Sequence, residues 1–308
     1  MMILIILLIF IIILMITYVS YRIAFHAPMK IEDDSHYRIP QGEQYDKEQS
    51  AIVKSINEML ARSFEPVTIT SFDGKKLYAR YYHVADNAPV QILFHGYKSS
   101  AIVDCCGGSK FAGKLGQNAL VVDQRSHGKS EGMAITFGVN ERKDCLSWIN
   151  YVRSRFGENV KIVLSGLSMG AATVLMAIDL PLPENVVGII ADCPFSSPKA
   201  IIQKVGKDMH LPIKVMYPFV KLAARLFAQF DLEESGAVSA VKDTKIPVLL
   251  IHGEDDHFVP CDMSREIYKA NPSQVILETI PGAGHGLCYM VAPKRYEEVV
   301  IEFMKKIM

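Results

Sequence analysis

From Met1 to Val19 every side chain except Thr17 and Tyr18 is strongly apolar, and none carries a charge. A helix of about 20 such residues, rising about 1.5 Å each, spans the roughly 30 Å of a bilayer's hydrocarbon core. The pattern predicts a membrane-spanning anchor over 1–21. A cleaved signal is the rival reading, but no basic side chain precedes the run, and Ser20 and Ala24 make poor cleavage sites after Tyr18 and Arg22. A run apolar on every side also suits lipid better than a half-wet protein surface. After it, 26–49 is polar and mixed in charge, with Pro28 and Pro40, and reads as a stalk. Ala51, Ile52, Ile56, Met59 and Leu60 then recur at helical spacing. Stalk and lead-in helix together occupy 22–62.

From 63 onward the period changes. Residues 67–71 and 77–83 read as two strands around Asp73-Gly74, a hairpin signal. Short apolar runs follow at 90–94, 119–123, 161–165, 186–192, 247–252 and 274–280, separated by helical stretches near 103–115, 140–155, 169–178, 263–270 and 292–306. Such alternation predicts an α/β domain over 63–308, with a mostly parallel sheet covered by helices on both faces. Between 192 and 247 the chain is far longer than one crossover helix requires, and it is apolar at Ile201, Ile202, Val205, Ile213, Met216, Val220 and Leu226. A small helical cap at about 195–241 is expected there.

Charge and cysteine content narrow the field. Lysine plus arginine equals aspartate plus glutamate at 33 each, which gives no electrostatic reason to expect nucleic acid as a partner. Arg22, Lys30 and Arg38 follow the apolar span, and positive charge stays cytoplasmic, so the folded domain is expected inside the cell. Cys105, Cys106, Cys145, Cys193, Cys261 and Cys288 form no C-x-x-C pair or metal-ligand spacing, and read as buried thiols of a reducing compartment.

The chemistry concentrates after two strands. Gly166-Leu167-Ser168-Met169-Gly170 lies between an apolar strand and an alanine-rich helix. There a tight turn needs glycine at both flanks and thrusts the serine outward at a helix N-terminus. A serine hydroxyl needs a base, and the base an orienting acid, downstream in that order. The strand before 253 ends in Gly253-Glu254-Asp255-Asp256-His257, and the next in Gly282-Ala283-Gly284-His285-Gly286. His285 is the candidate base. Glu254, Asp255 and Asp256 each offer a carboxylate. His95, Arg125, His127 and His252 read as structural, and Glu233 and Glu234 as a solvated face.

Five motifs in order, His95-Gly96-Tyr97, Asp123-x-Arg125-x-His127-Gly128-x-Ser130, Gly166-x-Ser168-x-Gly170, His252-Gly253-x-x-Asp256-x-x-Val259-Pro260 and Gly284-His285-Gly286, make the chain from about 64 to 308 resemble the α/β-hydrolase superfamily. The likeness is greatest to its single-domain bacterial esterase-like and serine-aminopeptidase-like members. The resemblance implies Asp256 as the acid of a Ser168, Asp256, His285 triad. It also implies an oxyanion hole from the backbone N–H groups of Tyr97 and Met169, with Gly96 allowing close approach. A serine hydrolase of carboxylic esters, including lipid or acyl esters, is the expected activity, with no metal or organic cofactor. A membrane-anchored serine peptidase or amidase is the second expectation, and a non-catalytic binding protein the third.

Overall fold

The computed structural model describes residues 1–27, 37 and 39–308. Pro28, and the cations Lys30 and Arg38 used to orient the span, lie outside the described residues. The strands are β1 (Glu65–Thr70), β2 (Lys76–Tyr82), β3 (Val90–Phe94), β4 (Asn118–Asp123), β5 (Ile162–Leu167), β6 (Val186–Asp192), β7 (Val248–Gly253) and β8 (Val275–Ile280). Among the described residues they form one sheet in the order β1-β2-β4-β3-β5-β6-β7-β8. The β1–β2 and β2–β4 pairings are antiparallel and the rest parallel. Each strand lies within two residues of its expected position. The hairpin turns at Gly74, whose positive φ of 82° a side chain would resist.

The helices are α1 (Met2–Ala24), α2 (Glu43–Asp46), α3 (Gln49–Leu60), α4 (Ala101–Lys114), α5 (Glu141–Phe156), α6 (Met169–Met176), α7 (Pro198–Asp208), α8 (Ile213–Leu226), α9 (Ala237–Val241), α10 (Asp262–Ala270), α11 (Cys288–Val291) and α12 (Pro293–Ile307). Period-two alternation sends successive strand residues to opposite faces. Ile162 and Leu164 of β5 pack with Trp148 and Ile149 of α5 and with Leu175 of α6. Val163 between them packs with Phe111 of α4 and with Val300 and Phe303 of α12. Helix α4 begins two residues before its apolar pattern does, because the Ser100 hydroxyl accepts from Val103 N–H at 3.3 Å and caps its first turn.

Two segments differ from their sequence reading. Of the stretch expected as a cap, α9 belongs to the main core, where Ala237 and Val241 join the cluster under the sheet. Helices α7 and α8 form a second cluster with Phe137, Met169 and Phe195. Glu233 and Glu234 are not simply solvated: Glu233 pairs with Lys199 and Lys221, and Glu234 with Arg142 at 2.7 Å and Lys143 at 2.9 Å. These pairs tie the end of the cap to its flanks.

The N-terminal segment packs on the rest of the chain. Helix α1 packs against α8. Phe25, just before the stretch read as a stalk, is 0% exposed and meets Phe137 and Phe230 edge-on at 5.9 and 5.4 Å. Its carbonyl accepts from Ile135 N–H, and Ala27 N–H donates to Met133 O, so the chain leaving the helix is stitched to 133–135.

Candidate active site

The site sits at the carboxyl ends of β3, β5 and β7, where open α/β sheets bring loops together. Ser168 occupies the turn from β5 into α6 with φ 54° and ψ −115°, outside the regions ordinary side chains prefer. Close packing requires its glycines. A Cβ on Gly166 would overlap the Gly170 carbonyl and lie 2.5 Å from Ala171 N. One on Gly170 would overlap the Phe94 carbonyl and lie 2.7 Å from His95 O. All of these neighbours are backbone, which cannot rotate away.

Three side chains distant in sequence meet there. Ser168 Oγ lies 3.0 Å from His285 Nε2, and His285 Nδ1 lies 2.6 Å from Asp256 Oδ2. The carboxylate partner fixes the tautomer: Nδ1–H donates, leaving Nε2 to accept from the serine. Asp256 Oδ1 accepts from the N–H groups of Phe258 and Val259 at 2.9 and 2.8 Å. His252 Nε2 is 3.3 Å from Oδ2. Burial alone would push the Asp256 carboxyl up. Hydrogen bonds from His252, His285 and Val259 N–H, with the charge of His285, outweigh it and hold the group well below the usual carboxylate range. Neither Glu254 nor Asp255 has these partners: Glu254 accepts from Thr279 Oγ1 at the surface.

The loop after β3 approaches Ser168 closely. A Cβ on Gly96 would stand 3.4 Å from Ser168 Cβ and 3.0 Å from Asp104 Oδ2. Asp104 braces that loop, accepting from Gly96 N–H at 2.7 Å and Ser99 Oγ at 2.6 Å. Among the described residues, the N–H groups of Tyr97 and Met169 donate to no protein acceptor. Met169 is the first residue of α6, where unpaired N–H groups and the helix dipole both favour negative charge.

The other histidines are held in place. His95 Nδ1–H donates to Gly96 O at 2.8 Å, and Nε2 accepts from Gln124 N–H at 3.0 Å. His127 Nδ1–H donates to Arg125 O and Nε2 accepts from Lys98 N–H at 3.1 Å. Burial lowers the pKa of His95 to about 4 and that of His127 to about 3, so both are neutral at ordinary pH. Arg125 is committed to Asp144 at 2.6 Å and Asp73 at 3.2 Å. His252 Nδ1 accepts from Ser264 Oγ at 2.7 Å while Nε2–H faces Val259 O at 2.8 Å.

Cys193, Asp256 and His285 place possible ligand atoms within 4.8 Å of one another. The Asp256 oxygens are already occupied by two amides and two imidazoles, and burial pushes the Cys193 thiol well above its ordinary range.

Sequence reasoning missed several neighbours. Gln44 Oε1 accepts from His285 N–H at 3.2 Å, and with Tyr45 it walls a cavity of 480 Å³ that also reaches Ser168, Asp192 and Tyr296. On the other side of Ser168 a second cavity, of 510 Å³, lies beneath α7 and α8. No spacing pattern marks Gln44. Asp104 carried a faint signal, an acid in the first turn of the helix that follows the loop.

A model of the alpha/beta hydrolase family matches residues 91–299. The chain is 25% identical over 248 residues to the uncharacterized protein YqkD of Bacillus subtilis, a match covering 79% of this chain and 81% of that protein. It is 27% identical over 209 residues to the rat lysophosphatidylserine lipase ABHD12, covering 62% of this chain and 48% of the relative, so about half of that protein's length is spanned. Among solved structures it resembles the Pyrococcus furiosus esterase Pf2001, with TM-score 0.65, 27% identity, and coverage of 82% of this chain and 94% of that one.

Proposed function

Because this chain belongs to the alpha/beta hydrolase family, we propose that it is a membrane-tethered serine hydrolase cleaving carboxylic esters through an acyl-enzyme. The observation that carries the reading is the continuous line Ser168 Oγ, His285 Nε2, His285 Nδ1, Asp256 Oδ2, with separations of 3.0 and 2.6 Å. Ser168 attacks the ester carbonyl as His285 removes its proton, and Asp256 steadies the imidazolium. The oxyanion receives the N–H groups of Tyr97 and Met169, each worth roughly 3 kcal/mol in comparable sites. His285 then protonates the leaving alcohol, and water, deprotonated by the same imidazole, releases the acid and frees Ser168.

Esters are favoured over peptides for two reasons. The esterase of known structure shares the fold over 94% of its length, and the relative named a lipase matches over about half of its own. The acids that would hold a peptide amine, Glu233 and Glu234, are engaged by four cations. Helix α1, exposed at every residue up to Met15, is the anchor. Arg22 and the six free thiols favour a cytoplasmic catalytic domain over 63–308, capped by α7 and α8.

A fluorophosphonate probe on the full chain in detergent tests the reading. Labelling of the wild type at Ser168, absent from Ser168→Ala, with turnover of p-nitrophenyl butanoate exceeding that of aminoacyl-anilides, is the expected result. Equal labelling of both proteins, or faster anilide cleavage, overturns it.

A further inference from the structure

Of the two cavities that meet at Ser168, the 510 Å³ one has an unusual wall. Val19, Ser20, Ile23 and Ala24, all from the last turns of α1, line it together with residues of α7 and α8. Its volume falls within the roughly 300–1,000 Å³ of small-molecule sites. Apart from Ser20, Tyr97, Lys98 and Ser168, every lining side chain is apolar. Three of those four turn their polar ends onto α1 itself. Ser20 Oγ donates to Ile16 O at 2.9 Å, Tyr97 Oη to Ala24 O at 2.8 Å, and Lys98 Nζ to Ile23 O at 3.3 Å. The last two bonds occupy carbonyls that a helix C-terminus otherwise leaves unpaired. What remains facing the cavity is hydrocarbon, ending at one hydroxyl.

The mouth can be located from exposure. Ile23 and Met209 line the cavity yet are 56% and 52% exposed, so one opening lies between the end of α1 and the turn joining α7 to α8; Phe258, 43% exposed against His285, marks the other end. Val215, in the first turn of α8 next to that opening, is 61% exposed, and Leu226, at the far end of α8, is 54% exposed. This apolar surface is continuous with α1, against which α8 packs. The 23 residues of α1 measure roughly 34 Å, so its last turns lie at the level where hydrocarbon meets headgroups. Lys207 and Lys214, both exposed, flank the apolar turn as cations do at that boundary.

Resting on the hydrolase reading above, we infer that the end of the membrane helix is a wall of the substrate pocket, and that the site takes a single acyl chain which slides in from the bilayer between α1 and the α7–α8 turn. The occupant is the chain of a membrane-borne monoacyl ester, whose carbonyl comes to rest at Ser168 while its polar part leaves through the Gln44 side. The anchor thus selects substrate as well as location. Through Tyr97 and Lys98 it also braces the loop proposed to hold the oxyanion.

The test uses the full chain in phosphatidylcholine–phosphatidylglycerol vesicles. Ile23→Trp and, one turn earlier, Val19→Trp fill the mouth from half-exposed positions. Each buried methylene is worth roughly fourfold in affinity. Shutting out two or more should therefore lower the ratio of kcat/KM for p-nitrophenyl dodecanoate over butanoate by about tenfold or more. The binding of dansylundecanoic acid, followed by its fluorescence, should weaken in parallel. An unchanged ratio with unchanged binding, or equal loss on both esters, overturns the inference. Val215→Asp with Leu226→Asp, outside the cavity, should leave butanoate turnover intact while cleavage of vesicle-borne dodecanoate falls several-fold. Full cleavage of the vesicle-borne ester by that variant refutes the lateral route. Butanoate turnover itself reports the hydrolase reading. If it is absent while dansylundecanoic acid still binds and Ile23→Trp weakens it, the chemistry fails and the pocket stands.

Discussion

Asp256→Asn isolates what the buried acid does, because asparagine has nearly the same shape and cannot serve every partner at once. The carboxylate now accepts from Phe258 N–H at 2.9 Å and Val259 N–H at 2.8 Å through Oδ1, and from His285 Nδ1–H at 2.6 Å through Oδ2. With the amide NH₂ turned to the loop, two backbone donors lose their acceptor, at about 1–3 kcal/mol each. The asparagine therefore keeps its oxygen on the loop and offers NH₂ to His285. The imidazole must then accept at Nδ1 and carry its proton on Nε2, which points a donor at Ser168 Oγ and leaves the serine without a base. Replacing an acid by its amide in such a triad costs about 10³–10⁴ in kcat, or roughly 4–5.5 kcal/mol of barrier. The fold loses little, since the loop amides keep their acceptor and only the His285 bond, the 3.3 Å approach of His252 and the charge are disturbed. The thermal midpoint should move by less than about 5 °C. Steady-state kinetics on p-nitrophenyl butanoate beside a thermal melt make the measurement. A variant that melts normally and retains more than about a tenth of wild-type kcat would refute the assignment of Asp256 as the orienting acid.

Three further outcomes follow from packing and burial. Phe25→Ala should destabilise the chain by about 3–5 kcal/mol, measured by denaturant titration, because the ring is wholly enclosed by Phe137 and Phe230; a loss below about 1 kcal/mol would mean the segment is a mere tether. Gly170→Ala should cost more than about 4 kcal/mol or abolish soluble expression, since the added methyl meets the Phe94 and His95 carbonyls; a wild-type melting curve would show that the elbow can yield. His127 is neutral in the folded state, its pKa lowered to about 3, but charges near 6.5 once unfolded, so its contribution is present above pH 6.5 and is lost as pH falls. His127→Gln should therefore flatten the acid-side fall in stability by about 1.4 kcal/mol per pH unit between roughly 6.5 and 3, and equal slopes in both proteins would contradict this.

Much of this was legible in the residues alone, for a local reason. Strand and helix periodicities are set within a few residues, and the clash that demands Gly166 lies only four and five residues away, at Gly170 and Ala171. An apolar run of membrane length declares itself without reference to anything else. A carboxylate surrounded by amide donors two and three residues on, as Asp256 is, likewise belongs to its own loop.

Other features depend on which distant surfaces come to rest together. The choice among Glu254, Asp255 and Asp256 needed either a family likeness or the observed approach of His285. Gln44 meets His285 across 241 residues, and Tyr97 meets Ala24 across 73. No periodicity encodes contacts of that separation, because they follow from how α1, the lead-in and the cap pack on the finished sheet. Composition alone reads the apolar N-terminal helix as a leash and assigns Phe25, at its end, no packing role. Only the packed structure makes the end of that helix a wall beside Ser168, because burial there is decided by α8 and the loop after β3, which lie far along the chain.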